Sequence, residues 1–455
     1  MRKRYRILTL ILTIMLSLGM SVMSVNAASI DVQNVLDGET YTAYKILNYT
    51  TNSDKTAYSY YLTAEQYASI GSALETAGFA FTQSSDGTRY TVNNAETVDV
   101  AAAAESLAGA NLGNALGKYT AVGEDGEVVF ENLPVGYYFV TTTAGSLCAL
   151  HSEGAIAKAV EKNTVPSVDK TQATSATGTY TNDTLDFNIG DTVYYQLEVK
   201  DGKGTNHDIV LTDVMTSGLT FDPDSITVEK GGETVATSNY SVTDKSATGF
   251  KLTLNAAYVA TLNENDTVVV KFTAKINTNA VIDSDTNTNT VTLKYSEQSS
   301  TKTVKLETYD FQLFKTDGTN YLPGSGFKLY DASTNGNQIK LSKDSTGYYK
   351  DASGSAEIMV DSANGVNVRG LAPGTYYLEE TTVPDGYNAP AARIEVTISS
   401  GQTVDDRPDV TVVNEAGTEL PTTGGMGTTI IYIIGGLLIA LCAVVLIARR
   451  RANNR

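Results

Sequence analysis

Apolar residues recur at every second position in one short run after another along this chain. Turn signals such as Asp201-Gly202-Lys203, Lys230-Gly231-Gly232, Thr316-Asp317-Gly318 and Pro384-Asp385-Gly386 stand between the runs. Period-two alternation sends one set of side chains to a buried face and the other to water. It predicts a mainly β protein of tandem antiparallel β sandwiches. Two Ala-rich stretches, Leu62 to Thr76 and Ala95 to Leu116, break the pattern and predict helical insertions in the first domain. One segment recurs: GEVVFENLPVGYYFVTTT (Gly126 to Thr143) parallels GVNVRGLAPGTYYLEETT (Gly365 to Thr382), so the first and last thirds are expected to share a sandwich type.

The same alternation places polar groups where a core is expected. In FQLFK, Phe311 and Leu313 share their face with Lys315. In the same third, Tyr376, Leu378 and Glu380 align, as do Val410, Val412 and Asn414. The middle third repeats the trio: Val168 with Lys170, Ile209 and Leu211 with Asp213, and Asn289 with Val291, Leu293 and Tyr295. An unpaired ammonium is strongly unfavourable in a core. Burial would make the lysine neutral and nucleophilic and keep the acid protonated. A neutral amine fixed against a carboxamide can attack its carbon, with the acid shuttling protons as ammonia leaves. The product, a neutral isopeptide bond, removes the buried charge. The ordinary alternative for each lysine is a solvated strand edge, and for each asparagine a turn.

The ends of the chain carry a different message. Arg2, Lys3, Arg4 and Arg6, an apolar run from Ile7 and the small residues of Val25-Asn26-Ala27 read as an export signal cleaved after Ala27. At the other end, Leu420-Pro421-Thr422-Thr423-Gly424 precedes an uncharged apolar run, Ile430 to Ala448, and a basic tail, residues 449 to 455. The run is about long enough to span a bilayer as a helix, with the arginines on the cytoplasmic side. Between these ends, residues 28 to 423 keep 25 basic residues against all 51 acidic ones, a net charge of −26. That charge argues against nucleic-acid partners. Cys148 stands alone in this part and Cys442 lies in the apolar run, so no intrachain disulfide staples the exported chain.

Pentapeptide, apolar span and basic tail in this order resemble the wall-sorting signal of Gram-positive surface proteins. In that family a sortase cuts between Thr and Gly, here Thr423 and Gly424, holds the new carboxyl as a thioester, and passes it to an amine. The middle domain, with IGDTVYYQLEV and IVLTDVMTSGLTFDPDSITV, resembles the isopeptide-forming domain of fimbrial subunits. The last, with LPGSGFKLYD and YYLEETTVPDGY, is similar to a collagen-adhesin B-type (CnaB) domain. The resemblance implies a Lys170–Asn289 bond helped by Asp213 and a Lys315–Asn414 bond helped by Glu380, each tying a first strand to a last. In the first domain Thr141 takes the Glu380 place when the Tyr pairs are aligned, so no bond is expected there.

The expected organisation is a signal (1–27), a CnaB-like first domain (28–163), an isopeptide-forming domain (164–306), a CnaB-type domain (307–415), a sorting linker (416–425), a transmembrane helix (430–448) and a basic tail (449–455). Pilins of this kind resemble the chain in domain order. They offer a lysine from a Tyr-Pro-Lys type motif at the end of the first domain. Ala159 to Asn163 places Lys162 there, although Val160-Glu161 replaces Tyr-Pro, and Lys158 competes. The implied partners are sortase, further copies of the chain, ancillary pilins, peptidoglycan and a host or surface receptor. The implied location is extracellular, as a wall-anchored fimbrium. The alternative is a monomeric wall-anchored adhesin. An enzyme acting on external substrates is not expected, because His151, His207 and Cys148 form no triad or metal-spaced cluster, and no cofactor is implied.

Overall fold

The computed structural model describes residues 27–93, 98, 106–107, 110, 112, 116–143, 145–147, 156–161, 163–284, 286–418 and 426–453. The chain is mainly β, with several sheets in tandem domains, and it divides into two compact units. The second unit comprises Asp186–Gly190, Val281–Ser284 and Glu307–Arg455; the remainder forms the first.

The first unit opens with strand Ala27–Gln33, which pairs antiparallel with Glu127–Pro134 and parallel with Ile156–Val160. Strand Thr40–Thr51 centres the facing sheet, bonded to Tyr58–Thr63, Gly117–Val122 and Gly136–Thr142. Alternate residues Ile30, Val32, Tyr41, Ala43, Val128, Phe130, Tyr138 and Val140 fill the space between. Helix Ala64–Thr76 begins where Thr63 stays extended and its hydroxyl accepts from Gln66 N–H at 3.2 Å, while the Gln66 side chain accepts from Thr63 N–H at 3.0 Å. This reciprocal cap makes Leu62 and Thr63 the end of a strand, two residues later than the composition alone placed the helix start. The helix buries Ile70 and Leu74 beside Leu62 and Phe79. Most of the second expected helix, Ala95 to Leu116, lies outside the described residues.

Farther along the first unit, two sheets enclose a second core. One contains Ser167–Ala173, Thr192–Lys200, Thr267–Ile276 and Thr227–Lys230 in that order. The other contains Gln298–Glu307, Asn287–Tyr295, Ile209–Met215, Gly249–Leu254 and Tyr240–Ser246. Phe221, Phe250 and Phe272 meet between them, with ring centroids 5.0–6.1 Å apart.

In the second unit, Tyr309–Thr316 lies between Val366–Leu371, antiparallel, and Asp409–Val413, parallel. The facing sheet carries Ser325–Tyr330, Gly374–Thr382 and Ile394–Ile398. The sandwiches are therefore not antiparallel throughout. Where the first and last strands of a sandwich lie side by side, they run the same way, because the chain between them returns through the opposite sheet. Tyr376 Oη donates to Ala372 O at 2.7 Å, and Tyr138 Oη donates to Pro134 O at 2.5 Å, so the repeated segment forms the same tyrosine-pinned turn twice. Helix Met426–Ala452 closes the described chain; its stretch Thr429–Ala452 contains an 18-residue window of mean hydropathy 3.0 and is long and apolar enough to cross a membrane.

Replacing Thr63 by Ala removes one half of the reciprocal cap. The expected cost is about 1 kcal/mol, read as a lower denaturation midpoint with loss of helical ellipticity.

Candidate cross-link sites

Lys170 faces inward from its strand and is 1% exposed. Its Nζ crosses to the opposite sheet and donates to the Asp213 carboxyl. The rings of Tyr195 and Phe272 wall it in, each with its centroid 5.4 Å from Nζ. Asp213 and Asn289 come from adjacent strands: Met215 pairs with Asn289 and Asp213 with Val291, so the two are diagonal neighbours on the inner face. Asn289 is 0% exposed. Neither its Oδ1 nor its Nδ2 makes a hydrogen bond, and Asp213 Oδ1 and Tyr195 Oη are equally unpaired.

Burial sets the charge state of this pocket. It pushes the Lys170 amine down from its ordinary value, against the pull of Asp213, and pushes the Asp213 carboxyl up, against Lys170. Both shifts favour a neutral amine beside a neutral acid. A dry carboxamide with both polar atoms unsatisfied carries a desolvation cost of about 1 to 3 kcal/mol per group. Consuming the amide nitrogen and the amine together would remove two of these unpaired or charged groups at once.

The second trio has the same residue types in a different arrangement. Lys315 is 2% exposed and its strand partner is Val412, so Asn414 lies one diagonal step along the neighbouring strand of the same sheet. Asn414 N–H donates to Thr316 O at 3.1 Å. The Lys315 amine donates to Thr316 O at 3.3 Å, and burial pushes it down from the usual lysine range, opposed by Glu380 and Asp317. Glu380 reaches in from the facing sheet, and its Oε1 accepts from Asn414 Nδ2 at 2.9 Å. Glu380 Oε2 and Asn414 Oδ1 have no partner. Here the acid holds the amide, whereas Asp213 holds the amine.

All six residues singled out by alternation are brought together as two triples, five of the residues buried and Glu380 half-buried. One expectation needs correction: Asn289 sits on the next-to-last strand of its sandwich, because Gln298–Glu307 follows it. Only the Lys315 triple joins a first strand to a last.

The first domain shows why its counterpart is empty. Ile30 pairs with Phe130 as Phe311 pairs with Val368, and Val32 pairs with Ala159 as Leu313 pairs with Val410. This register puts Asn34 at the Lys315 place and Asn163 at the Asn414 place. The tyrosine-pinned turn aligns Tyr138 with Tyr376, so Thr142, not Thr141, stands at the Glu380 place; the Tyr pairs are offset by one. Amine and acid are both missing. Instead Tyr41 Oη donates to the buried Glu161 carboxylate at 3.0 Å, and Asn163 N–H donates to the same carboxylate at 2.9 Å. Burial raises the Tyr41 hydroxyl to about 12, so it remains a donor. The sequence analysis did not single out Tyr195; its alternation with the buried Val193 and Leu197 is the signal that could have found it facing inward. The Tyr41–Glu161 contact joins residues too far apart in the chain to read as a pair.

Lys162 and the whole of Leu420, Pro421, Thr422, Thr423 and Gly424 lie outside the described residues, as does the signal segment before Ala27. Lys158 is described; its side chain is 71% exposed and its Nζ lies 4.0 Å from Asp31. Among the described residues, no group of three or more His, Cys, Asp or Glu side chains could hold a metal ion.

Comparison with known proteins agrees with this architecture. Residues 309–411 match the SpaA prealbumin-like fold domain. A backbone pilin of Streptococcus pyogenes, described as a modular three-domain structure, superposes with a TM-score of 0.52 at 16% identity, covering 89% of this chain and 95% of that one. The full-length RrgB pilus protein of Streptococcus pneumoniae gives 0.50 at 14% identity, covering 88% and 99%. No curated protein matches the chain. The chain therefore has the multidomain fold of these pilins.

Replacing Tyr41 by Phe strands the buried Glu161 carboxylate without its hydroxyl partner. The expected loss is about 1 to 3 kcal/mol in chemical denaturation of the first domain, with the covalent mass changed only by the substituted oxygen.

Proposed function

We propose that this chain is the structural backbone subunit of a covalent, sortase-assembled pilus on a Gram-positive cell wall, hardened by two self-formed isopeptide bonds. The observation that carries the reading is the pair of Lys/Asn/acid triples, buried but for the half-buried Glu380, in sandwiches of pilin fold. The amine of Lys170 or Lys315 attacks the side-chain carbon of Asn289 or Asn414, the acid passes protons from the amine to the departing nitrogen, and ammonia leaves. The chain is then a substrate of sortase and a catalyst only of its own cross-links.

Mechanics follow from the strand order. Tension entering along Tyr309–Thr316 passes through a Lys315–Asn414 bond and leaves, bypassing residues 316 to 413. In the middle domain a Lys170–Asn289 bond bypasses residues 171 to 288 but leaves the hairpin arm Gln298–Glu307 outside the covalent path. Each closed loop stabilises by about 4 to 5 kcal/mol through chain entropy. The first domain, held at the matching place by the Tyr41–Glu161 hydrogen bond, is the weakest under load. Sortase joins Thr423 of one copy to Lys162 of the next, and finally to peptidoglycan; ancillary pilins and adhesion to a receptor extend the same reading.

Intact mass of a recombinant fragment, residues 28 to 419, is expected to fall short by two ammonias, and by one in Lys170→Ala or Lys315→Ala. A full calculated mass excludes the bonds and leaves wall anchoring standing. Wall extracts are expected to show a boiling-resistant ladder on immunoblots, collapsing to one band in Lys162→Ala. A single band in the parent chain instead identifies a monomeric wall-anchored adhesin. A ladder that survives Lys162→Ala moves the joining amine to another lysine, with exposed Lys158 the first to test.

A further inference from the structure

Both triples leave the carboxamide oxygen without a hydrogen bond, and the middle site holds one further buried, unpaired hydroxyl. In the last domain Glu380 touches the carboxamide through Asn414 Nδ2. In the middle domain Asp213 is engaged with the Lys170 amine, and the Asn289 oxygen has no hydrogen bond. Attack on Asn289 would place negative charge on that oxygen inside a dry pocket. Such charge needs a donor already in position, or the barrier rises steeply.

One further polar group is buried there. Tyr195 is 0% exposed, its ring stacks on Phe272 at 5.3 Å between centroids, and the same ring flanks Lys170. Its hydroxyl has no ordinary hydrogen-bond partner. Its ring lies 5.4 Å from the Lys170 amine, which reaches the Asp213 carboxyl on the strand beside Asn289, so phenol and carboxamide line the same pocket. Burial is the largest influence and holds the phenol well above its usual range, so it stays a proton-bearing donor. A buried tyrosine whose hydroxyl satisfies nothing in the resting site is an unusual expense for a core.

Resting on the isopeptide reading, we propose that Tyr195 is the oxyanion donor of the middle site. Its hydroxyl hydrogen-bonds the Asn289 oxygen as the tetrahedral intermediate forms. Lys170 first yields one proton to Asp213. The amine lone pair then bonds to the side-chain carbon of Asn289 and the carbonyl electrons move to its oxygen, where Tyr195 Oη–H donates without losing its proton. Asp213 protonates the departing nitrogen and takes the second proton from Nζ. The carbonyl re-forms, ammonia leaves, and Tyr195 ends hydrogen-bonded to the new amide.

The test follows the full chain in pulse-labelled cells, digesting it at intervals and quantifying the Lys170–Asn289 and Lys315–Asn414 linked peptides by mass spectrometry. The second bond serves as an internal clock. Tyr195→Phe keeps the ring and removes the hydroxyl. The expected result is formation of the first bond slowed about 100-fold, the scale of losing one oxyanion donor, with the second bond on time. Amide exchange in strand Ser167–Ala173 of the still unlinked chain should match that of an unlinked Asn289→Ala chain. Linking at the parental rate overturns the role of Tyr195 and leaves the bond itself standing. Slow linking together with lost amide protection also overturns it, in favour of a packing role. Absence of the linked peptide in the parent chain sinks both the bond and this donor.

Discussion

The structure depends on lysine amines held in dry cores. Among the described residues, Lys170 and Lys315 are the lysines buried in these sandwiches, each carrying a group that burial normally rejects. Taking an ammonium out of water costs several kcal/mol even after relaxation, and a paired carboxylate only partly offsets it. Each lysine is met by an acid and a carboxamide whose own polar atoms are left partly unsatisfied. Such a cluster is a poor stability device if it stays as separate groups. It becomes a good one if amine and amide merge, because the charge and the unpaired nitrogen leave together. Burial in the surrounding core pushes both lysine amines down and, in the middle domain, the Asp213 carboxyl up, toward the neutral forms.

The two clusters solve the same problem with opposite geometry. In the middle domain the lysine comes from one sheet while acid and amide come from neighbouring strands of the other, so a bond would staple sheet to sheet. In the last domain lysine and amide lie on adjacent parallel strands, and the acid comes from across the core. A staple between parallel neighbours shields a shear interface; a staple between sheets resists their separation. The first domain has neither, and closes with a tyrosine–glutamate hydrogen bond at the matching position. Were both bonds to form, the three closures would grade mechanical strength along the chain.

Much of this was legible before any coordinates. Period-two alternation placed all six residues of the triples on inward faces, and each is buried or half-buried there. The repeat of Gly126 to Thr143 in Gly365 to Thr382 correctly announced a shared turn, but aligning the visible Tyr pairs misplaced the register by one. The hydrogen bond from Tyr138 to Pro134, not the doubled tyrosine, defines the equivalence. The helix start also shifted, since the Thr63 cap outweighs the helix preference of the residues before it.

What the amino-acid order determined alone is local: strand faces, turn positions, the apolar C-terminal helix, and the residue types that a dry core would force into reaction. With Cys148 the single cysteine outside the C-terminal apolar run, the sequence offers no disulfide between residues 28 and 423. Only the tertiary structure decided which groups meet. It set Asp213 on the amine and Glu380 on the amide, ran the first and last strands of the second unit parallel, and put the Tyr195 ring against the Lys170 amine. Alternation gives the direction of a side chain but not its distance from one a hundred residues away. That distance is fixed by strand order and register, which are properties of the whole packed sandwich.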